Sequence, residues 1–301
     1  MEPKHTSVLL EQAVDALTIK PDHWYIDATF GRGGHTQEML NHGGKIIAFD
    51  YDATNIEYGM QQFRSEVKAK QLLLVRENFD QMLKIVQGLS TQGVVDKING
   101  VLFDFGTTTE QLMDTNSGLS FQGGTAELDM RLDDRLGVKA KDLLALIDEK
   151  QLQKLFSEYG GEREAKKIAS EIVKRRQEGE FITTVQQLVS LIETVKAHQP
   201  RHIHPATKVF QALRIAVNDE LDNIERALPQ ALSVIESNCK IVTIAFHEGE
   251  DRLCKQVMRT WEENGLGKRT PKDVITPSLA EIQQNPRARS AKMRVFTKKA
   301  S

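Results

Sequence analysis

Short apolar runs recur through the first hundred residues and restrict the fold more than any other feature of the chain. Stretches of helical character separate the runs, and each run has the length of a strand. Parallel strands have this continuous apolar pattern because helices cover both faces of their sheet. The sequence therefore predicts an α/β fold with a parallel sheet. The predicted strands are residues 24–29, 45–50, 72–75 and 100–105.

Aspartates lie at the carboxyl ends of three of these predicted strands. They are Asp27, Asp50 and Asp104. Ligands of open parallel sheets bind outside the carboxyl ends of the strands. We therefore expect the three carboxylates to meet at one edge of the sheet and to form part of a binding site.

The pattern changes after residue 112. Residues 113–137 are rich in glycine and polar residues, and residues 139–228 have helical periodicity. Strand character returns at 240–247 and again at 292–297, where alternation predicts an antiparallel edge strand. We predict an α/β core of residues 1–112 and 229–301, interrupted by an inserted helical domain of residues 113–228.

Within the insertion, apolar residues recur at helical spacing in two stretches, 165–173 and 210–228. We expect Pro205 in the first turn of the second helix and Pro229 at its end.

A glycine-rich turn, residues 27–36, follows the first predicted strand and leads into a helix. Such turns let a ligand approach the backbone closely, and Asp50 could accept hydrogen bonds from both ribose hydroxyls of an adenosine. Thr36 stands where the dinucleotide fingerprint needs glycine, which favours S-adenosylmethionine over NAD. Asp27 and Asp104 would attract the sulfonium cation of S-adenosylmethionine. The alternative role of Asp27 is purely structural, as a cap of the turn.

Several further motifs occur in order along the chain. Lys-His-Thr-Ser-Val-Leu-Leu stands at 4–10, Tyr-Gly-Gly-Glu-Arg at 159–163 and Asn-Pro-Arg-Ala-Arg-Ser at 285–290. Others are residues 50–52, 118–121, 128–131, 166–169 and 210–221. With them the chain closely resembles the ribosomal RNA small subunit methyltransferase H family. The resemblance implies a Rossmann-like fold that uses S-adenosylmethionine to methylate N4 of a cytosine in 16S rRNA.

The resemblance also implies a set of cofactor-binding residues. Phe79 would pack on the adenine, although an aromatic residue at that position could equally belong to the core. The expected cofactor-binding residues are Gly33, Gly34, His35, Asp50, Phe79, Asp104 and Gln111, to which the turn analysis adds Asp27. We expect no metal site, because His198, His202 and His204 lack a fourth ligand.

Two segments depart from the family pattern. After Asp104-Phe105-Gly106, the family has Val-Ser-Ser and then a variable residue, whereas this chain has Thr107-Thr108-Thr109-Glu110. Further along, the family has Ser-Leu where this chain has Glu248-Gly249. Both lie in loops at the predicted strand ends, where the substrate is expected to bind.

Cytosine N4 is a poor nucleophile, because its lone pair is conjugated into the ring. The nitrogen must also lose a proton when it gains the methyl group, so the reaction needs a proton acceptor. Asp104, or a backbone carbonyl within 104–109, is our candidate acceptor. The candidates for contacts to rRNA phosphates are Arg32, Arg131, Arg163, Arg214, Arg252, Arg287 and Arg289.

The charge distribution allows a nucleic-acid partner. The net charge is −2, but residues 252–301 contain twelve Lys and Arg against four Asp and Glu, so this segment is strongly basic. We expect the partner to be small-subunit rRNA or the assembled small ribosomal subunit, with no membrane partner and with a homodimer left open. Cys239 and Cys254 cannot form a disulfide framework, and the N-terminal residues lack a secretory apolar stretch, so we expect a cytoplasmic protein.

Three alternative functions stay open from the sequence. A non-catalytic RNA-binding paralogue would keep the fold without turnover. A methyltransferase could act on another amino group in DNA or protein. An NAD enzyme is disfavoured by Thr36.

Overall fold

A computed structural model describes residues 7–197 and 204–300. Within them, seven strands form one sheet in the order β3-β2-β1-β4-β5-β7-β6. Strands β1 to β5 are parallel, and β7 runs antiparallel to both β5 and β6. The strands are β1 (Trp24–Asp27), β2 (Lys45–Phe49), β3 (Leu72–Val75), β4 (Ile98–Asp104), β5 (Ile235–Ala245), β6 (Gly267–Arg269) and β7 (Lys292–Lys298).

The sheet confirms the predicted α/β fold class and the antiparallel strand near residue 292. The strand predicted at 240–247 starts earlier, at Ile235, directly after a helix. The sequence analysis missed β6, because Gly-Lys-Arg contains no apolar residue and pairs only at the sheet edge.

Alternate residues of the strands face two different apolar clusters. Ile26 and Phe103 belong to one cluster, and Tyr25 and Leu102 belong to the other. Because successive side chains of a strand point to opposite faces, the two clusters cover opposite faces of the sheet. Helices supply the outer half of each cluster, which explains why the strands are apolar throughout.

Helices precede or follow most strands. They are α1 (Leu10–Leu17), α2 (Gly34–Asn41), α3 (Ala53–Gln62), α4 (Arg64–Lys68), α5 (Met82–Thr91), α6 (Thr109–Met113), α7 (Ala140–Leu146), α8 (Glu149–Glu158), α9 (Ala165–Gln177), α10 (Val185–Val195), α11 (Thr207–Val217), α12 (Glu220–Val234), α13 (Glu248–Glu263) and α14 (Leu279–Gln284). Two short 3-10 helices span Phe79–Gln81 and Pro286–Ser290.

The apolar stretch 210–228 forms two helices, not one. The chain turns at Asp219, whose φ is 48°. The buried Asn218 side chain bridges this break, because it accepts a hydrogen bond from Leu132 N and donates one to Met130 O. Pro229 lies inside α12 and does not end it, contrary to the prediction.

The described chain divides into two compact units. The first extends up to Gly106 and resumes at Leu221, and it contains the whole sheet. The second, Thr107–Glu220, is mainly helical. The sequence placed the limits of the insertion at 113 and 228, which fall within α6 and α12. The extent of the inserted domain stays a prediction.

Among the described residues, we find no helix with both the length and the apolar character needed to cross a bilayer.

Replacing Phe103 by alanine should strongly destabilise the sheet unit. The side chain is fully buried and packs against Phe79 and Phe105. Its loss should lower the free energy of unfolding by about 3–5 kcal/mol in urea titrations. Phe181→Ala is the matched control, because Phe181 is 52% exposed, and it should cost less than about 0.5 kcal/mol. Equal losses in both variants would contradict the assignment of Phe103 to the core.

Candidate functional site

The three predicted aspartates meet at the carboxyl edge of adjacent strands. Asp27 is the last residue of β1, Asp104 is the last residue of β4, and Asp50 follows β2 directly. Strand β1 pairs with β2 on one side and with β4 on the other. The order of the sheet reverses between β1 and β4, and such a switch point is where open α/β sheets bind ligands.

Asp27 is buried within the glycine-rich turn. One carboxylate oxygen accepts a hydrogen bond of 2.7 Å from the Thr36 hydroxyl, and the other accepts one of 3.2 Å from Thr29 N. Burial outweighs these hydrogen bonds and raises the pKa of Asp27 to about 6. These hydrogen bonds hold the turn, and the contact of Asp27 with a cofactor stays a prediction.

Asp50 ties the turn to the second strand. One carboxylate oxygen accepts hydrogen bonds from Gly31 N at 2.8 Å and from the Asn55 amide at 3.0 Å. The other accepts one of 2.9 Å from Asp52 N. Burial raises the pKa of Asp50 to about 7 despite these donors. Each carboxylate oxygen has two lone pairs, so Asp50 retains acceptor capacity for a ligand hydroxyl.

Gly33 and Gly34 open helix α2. Gly33 is its N-cap, with φ of 74°, and a Cβ added there would lie 2.7 Å from the Phe63 ring and 2.8 Å from the Phe30 ring. At Gly34 a Cβ would overlap the Ser7 side chain, which would have to shift. Gly33 therefore favours glycine through both its φ and its packing, whereas Gly34 favours it through packing alone.

Asp104 and His35 come together across the site. His35 Nδ1 lies 3.6 Å from Asp104 Oδ2, and His35 is buried in the first turn of α2. The Asp104 backbone N–H donates to the Thr29 hydroxyl at 2.7 Å, which joins the ends of β4 and β1. Asp104 Oδ1 accepts no hydrogen bond from any side chain or backbone group within residues 7–197 and 204–300.

The pKa of Asp104 lies well above its ordinary value. Burial is the largest cause, and the negative charges of Asp27 and Glu250 add to it. The positive charge of Arg287 acts in the opposite direction. Two carboxylates therefore repel Asp104, and one guanidinium partly compensates for them.

Glu250 was not predicted as a site residue. It is 1% exposed, and its carboxylate accepts hydrogen bonds from Phe246 N at 2.7 Å and from His247 N at 3.2 Å. His247 in turn caps α13 through Gly249 N, so Glu248 and Gly249 belong to an ordered helix start instead of a loop. His247 and Glu250 have the spacing of a capping box, with histidine in place of serine or threonine. This spacing is the sequence signal that could have identified Glu250.

Phe79 lies in the core, where it begins the 3-10 helix Phe79–Gln81 that follows β3. Its ring centroid is 5.6 Å from that of Phe103 and 6.1 Å from that of Phe105. The residue is 8% exposed. The structure therefore places Phe79 among core aromatics beside the site, and its contact with adenine stays a prediction.

Gln111 belongs to the helical unit, unlike the other predicted site residues. It forms a capping box with Thr108 at the start of α6. Gln111 N donates to the Thr108 hydroxyl at 3.2 Å, and Thr108 N donates to the Gln111 side chain at 2.9 Å. The threonine-rich departure from the family pattern thus forms a regular helix start.

Of the three histidines considered as metal ligands, His198 and His202 lie outside the described residues. His204 stacks on Phe121 with ring centroids 4.2 Å apart and an angle of 5° between the planes.

The candidate phosphate-binding arginines differ in their surroundings. Arg131 pairs with Asp129, and Arg214 pairs with Glu220. Arg32 lies over the Tyr58 ring at 4.8 Å. The remaining candidates are exposed on the surface: Arg163, Arg252, Arg287 and Arg289.

The chain is similar to known methyltransferases over nearly its whole length. A family profile described as the MraW methylase family matches residues 2–299. Ribosomal RNA small subunit methyltransferase H of Dechloromonas aromatica is 39% identical, with 98% of each chain covered. The protein of the same name from Caldicellulosiruptor saccharolyticus is 37% identical, with 98% of this chain and 99% of that protein covered.

The buried carboxylate of Asp27 should make stability depend on pH. Its raised pKa means that the folded chain retains a proton which the unfolded chain releases near pH 4. The free energy of unfolding should therefore fall as pH rises from about 4 to about 6, by roughly 2–3 kcal/mol from this group. Asp27→Asn should remove that part of the fall in urea titrations without ligand. Asp22→Asn, at a carboxylate that is 84% exposed, should leave the slope unchanged, and an unchanged slope in Asp27→Asn would contradict the prediction.

Proposed function

Because the chain belongs to the MraW methylase family, we propose that it transfers a methyl group from S-adenosylmethionine to N4 of a cytosine in 16S ribosomal RNA. The observation that carries this proposal is the trio of carboxylates at the switch point of the sheet. The repulsion between Asp27 and Asp104 favours a cationic ligand, and the sulfonium of S-adenosylmethionine is a cation. The names of the relatives, which cover nearly the whole chain, supply the RNA substrate.

The residues of the turn fit this cofactor. The turn packs closely at Gly33, where a Cβ would meet the rings of Phe30 and Phe63. Asp50 would accept hydrogen bonds from the ribose hydroxyls, and Asp27 with Asp104 would face the sulfonium. The cofactor supplies a methyl group that is activated by its bond to positive sulfur. We assign cofactor binding to Gly33, Gly34, His35, Asp27, Asp50, Phe79, Asp104 and Gln111.

In the reaction that we propose, Asp104 accepts the proton that N4 loses as it gains the methyl group. A general base works best when its pKa lies near the working pH, and the raised pKa of Asp104 makes it a stronger base than an ordinary aspartate. Its Oδ1 accepts no hydrogen bond from the described residues, so it has capacity for the N4–H group. A backbone carbonyl within residues 104–109 is the alternative acceptor.

The rival functions have less support. The two departures from the family pattern form intact helix caps at Thr108 and His247, so they do not indicate a collapsed site. A non-catalytic paralogue or a different amino-group substrate therefore has no observation in its favour. The assembled small subunit as substrate, a homodimer and a cytoplasmic location stay predictions.

Gly33→Ala should weaken cofactor binding. The added methyl group meets two phenyl rings, and a φ of 74° is strained for alanine. The dissociation constant for S-adenosylmethionine, measured by calorimetry, should rise about tenfold or more, which equals 1.4 kcal/mol. Gly93→Ala is the matched control, because Gly93 has φ of 69° with no described atom within 4 Å of the added Cβ. An equal rise in both variants would show that the effect is general destabilisation.

Asp104→Asn tests the proposed acceptor. Asparagine keeps the shape of the side chain but cannot take up a proton. With purified small subunits and saturating cofactor, turnover should fall by about 100-fold. Cofactor affinity, measured separately, distinguishes a binding defect from a chemical one. Asp114→Asn, at an exposed aspartate, should retain turnover, and full turnover in Asp104→Asn would exclude the catalytic role. Mapping of the labelled nucleotide tests the proposed substrate.

A further inference from the structure

The carboxylate of Asp50 uses its two oxygens unequally. Oδ2 accepts hydrogen bonds from Gly31 N at 2.8 Å and from the Asn55 side-chain amide at 3.0 Å. Oδ1 accepts one hydrogen bond of 2.9 Å, from Asp52 N, within the described part of the chain. Because a carboxylate oxygen has two lone pairs, the acceptor capacity of Oδ2 is filled, and Oδ1 is the oxygen that remains for a ligand.

Asn55 lies in the first turn of α3, where the backbone that carries it is fixed. Asp52 is the N-cap of this helix, and its side chain accepts a hydrogen bond of 2.8 Å from Thr54 N. Asn55 is 1% exposed, so bulk water cannot replace Asp50 as the partner of its amide. The start of α3 thus holds Asp50 through both a backbone and a side-chain donor.

The Asn55 amide has a cost that an apolar side chain of the same shape would avoid. Its Oδ1 is buried and accepts no hydrogen bond from residues 7–197 and 204–300. A buried acceptor without a donor destabilises a fold, and asparagine is a weaker helix former than leucine. Local rules broken in this way are typical of functional sites. The hydrogen bond that the amide does make is to Asp50.

Loss of this amide would change the Asp50 carboxylate in two respects. Each oxygen would then accept one backbone hydrogen bond, so the difference between Oδ1 and Oδ2 would disappear. The charged form would also lose support, because burial raises the pKa of Asp50 to about 7 and the Asn55 hydrogen bond acts against that rise. An ionised carboxylate accepts hydrogen bonds more strongly than a neutral acid.

We propose that Asn55 is a positioning residue for the cofactor, whose amide occupies Oδ2 of Asp50 and leaves Oδ1 as the oxygen that accepts from the ribose of S-adenosylmethionine. This role rests on the proposed function, in which Asp50 binds the ribose. Asn55 is buried and acts through Asp50, so it needs no contact with the cofactor.

Asn55→Leu removes the donor and the buried acceptor together while nearly keeping the shape of the side chain. The probes are S-adenosylhomocysteine, which methyl transfer leaves as product, and its 2′,3′-dideoxy analogue, both measured by calorimetry. The dissociation constant of S-adenosylhomocysteine should rise about tenfold. That of the analogue should change less than about twofold, because it offers Asp50 no ribose hydroxyl. A general loss of folding would weaken both ligands equally.

Asn41→Leu is the matched control. Asn41 is the last residue of α2, and its amide also donates to a carboxylate, that of Glu38, at 3.0 Å. Asn41 is exposed, so both ligands should bind this variant as they bind the unaltered protein. If Asn55→Leu does not fold, Asn55→Ala removes the same amide without adding apolar volume and should give the same difference between the two ligands.

A titration without ligand separates this role from the proposed function. The carboxyl carbons of aspartate are labelled with ¹³C, and the Asp50 signal is identified by its loss in Asp50→Asn. The midpoint of this signal should move to higher pH in Asn55→Leu and stay in place in Asn41→Leu.

An unchanged Asp50 midpoint in Asn55→Leu would overturn the inference. So would an unchanged dissociation constant of S-adenosylhomocysteine, or an equal rise for the two ligands. If the unaltered protein did not bind S-adenosylhomocysteine while Asn55→Leu still shifted the midpoint, the proposed function would be contradicted and the hold of Asn55 on Asp50 would stand.

Discussion

The concentration of carboxylates at one edge of the sheet is the constraint on which the rest of the site depends. Burial of an unpaired carboxylate is costly, and mutual repulsion adds to that cost. The chain offsets part of it with hydrogen bonds from Thr36 to Asp27 and from Gly31 to Asp50. It does not remove the cost, because the pKa values of Asp27 and Asp50 remain raised. A bound cation, such as the sulfonium that we propose, would offset part of the remaining cost.

Much of the fold could be predicted because burial leaves a local trace in the sequence. A strand covered on both faces must be apolar throughout, and β1, β2, β3 and β4 show this without any knowledge of their neighbours. The break at Asp219 left no such trace. It depends on Asn218 bonding the distant backbone of Met130 and Leu132, and helical periodicity continues on both sides of it.

The residues of the site also divide into those that the sequence could place and those that it could not. Asp27, Asp50 and Asp104 could be placed together because the ends of adjacent parallel strands meet at one edge. Glu250 and Arg287 come from elements far along the chain, and their effect on Asp104 depends on the three-dimensional arrangement of α13 and the 3-10 helix. A sequence pattern can show that an arginine lies in a motif, but not which carboxylate its charge reaches.

The two departures from the family pattern show that the fold requires a capped helix start at each of these positions. At α6, Thr108 and Gln111 satisfy the N-terminal backbone groups of the helix, which a serine hydroxyl could equally do. At α13, His247 and Glu250 do the same, and the added Glu248 lies in the first turn, where the helix dipole favours an acid. The changed side chains therefore preserve the capping chemistry that sets the direction of each helix. Since Glu250 is positioned by that cap and its charge acts on Asp104, the start of α13 is linked to the proposed chemistry through its backbone geometry.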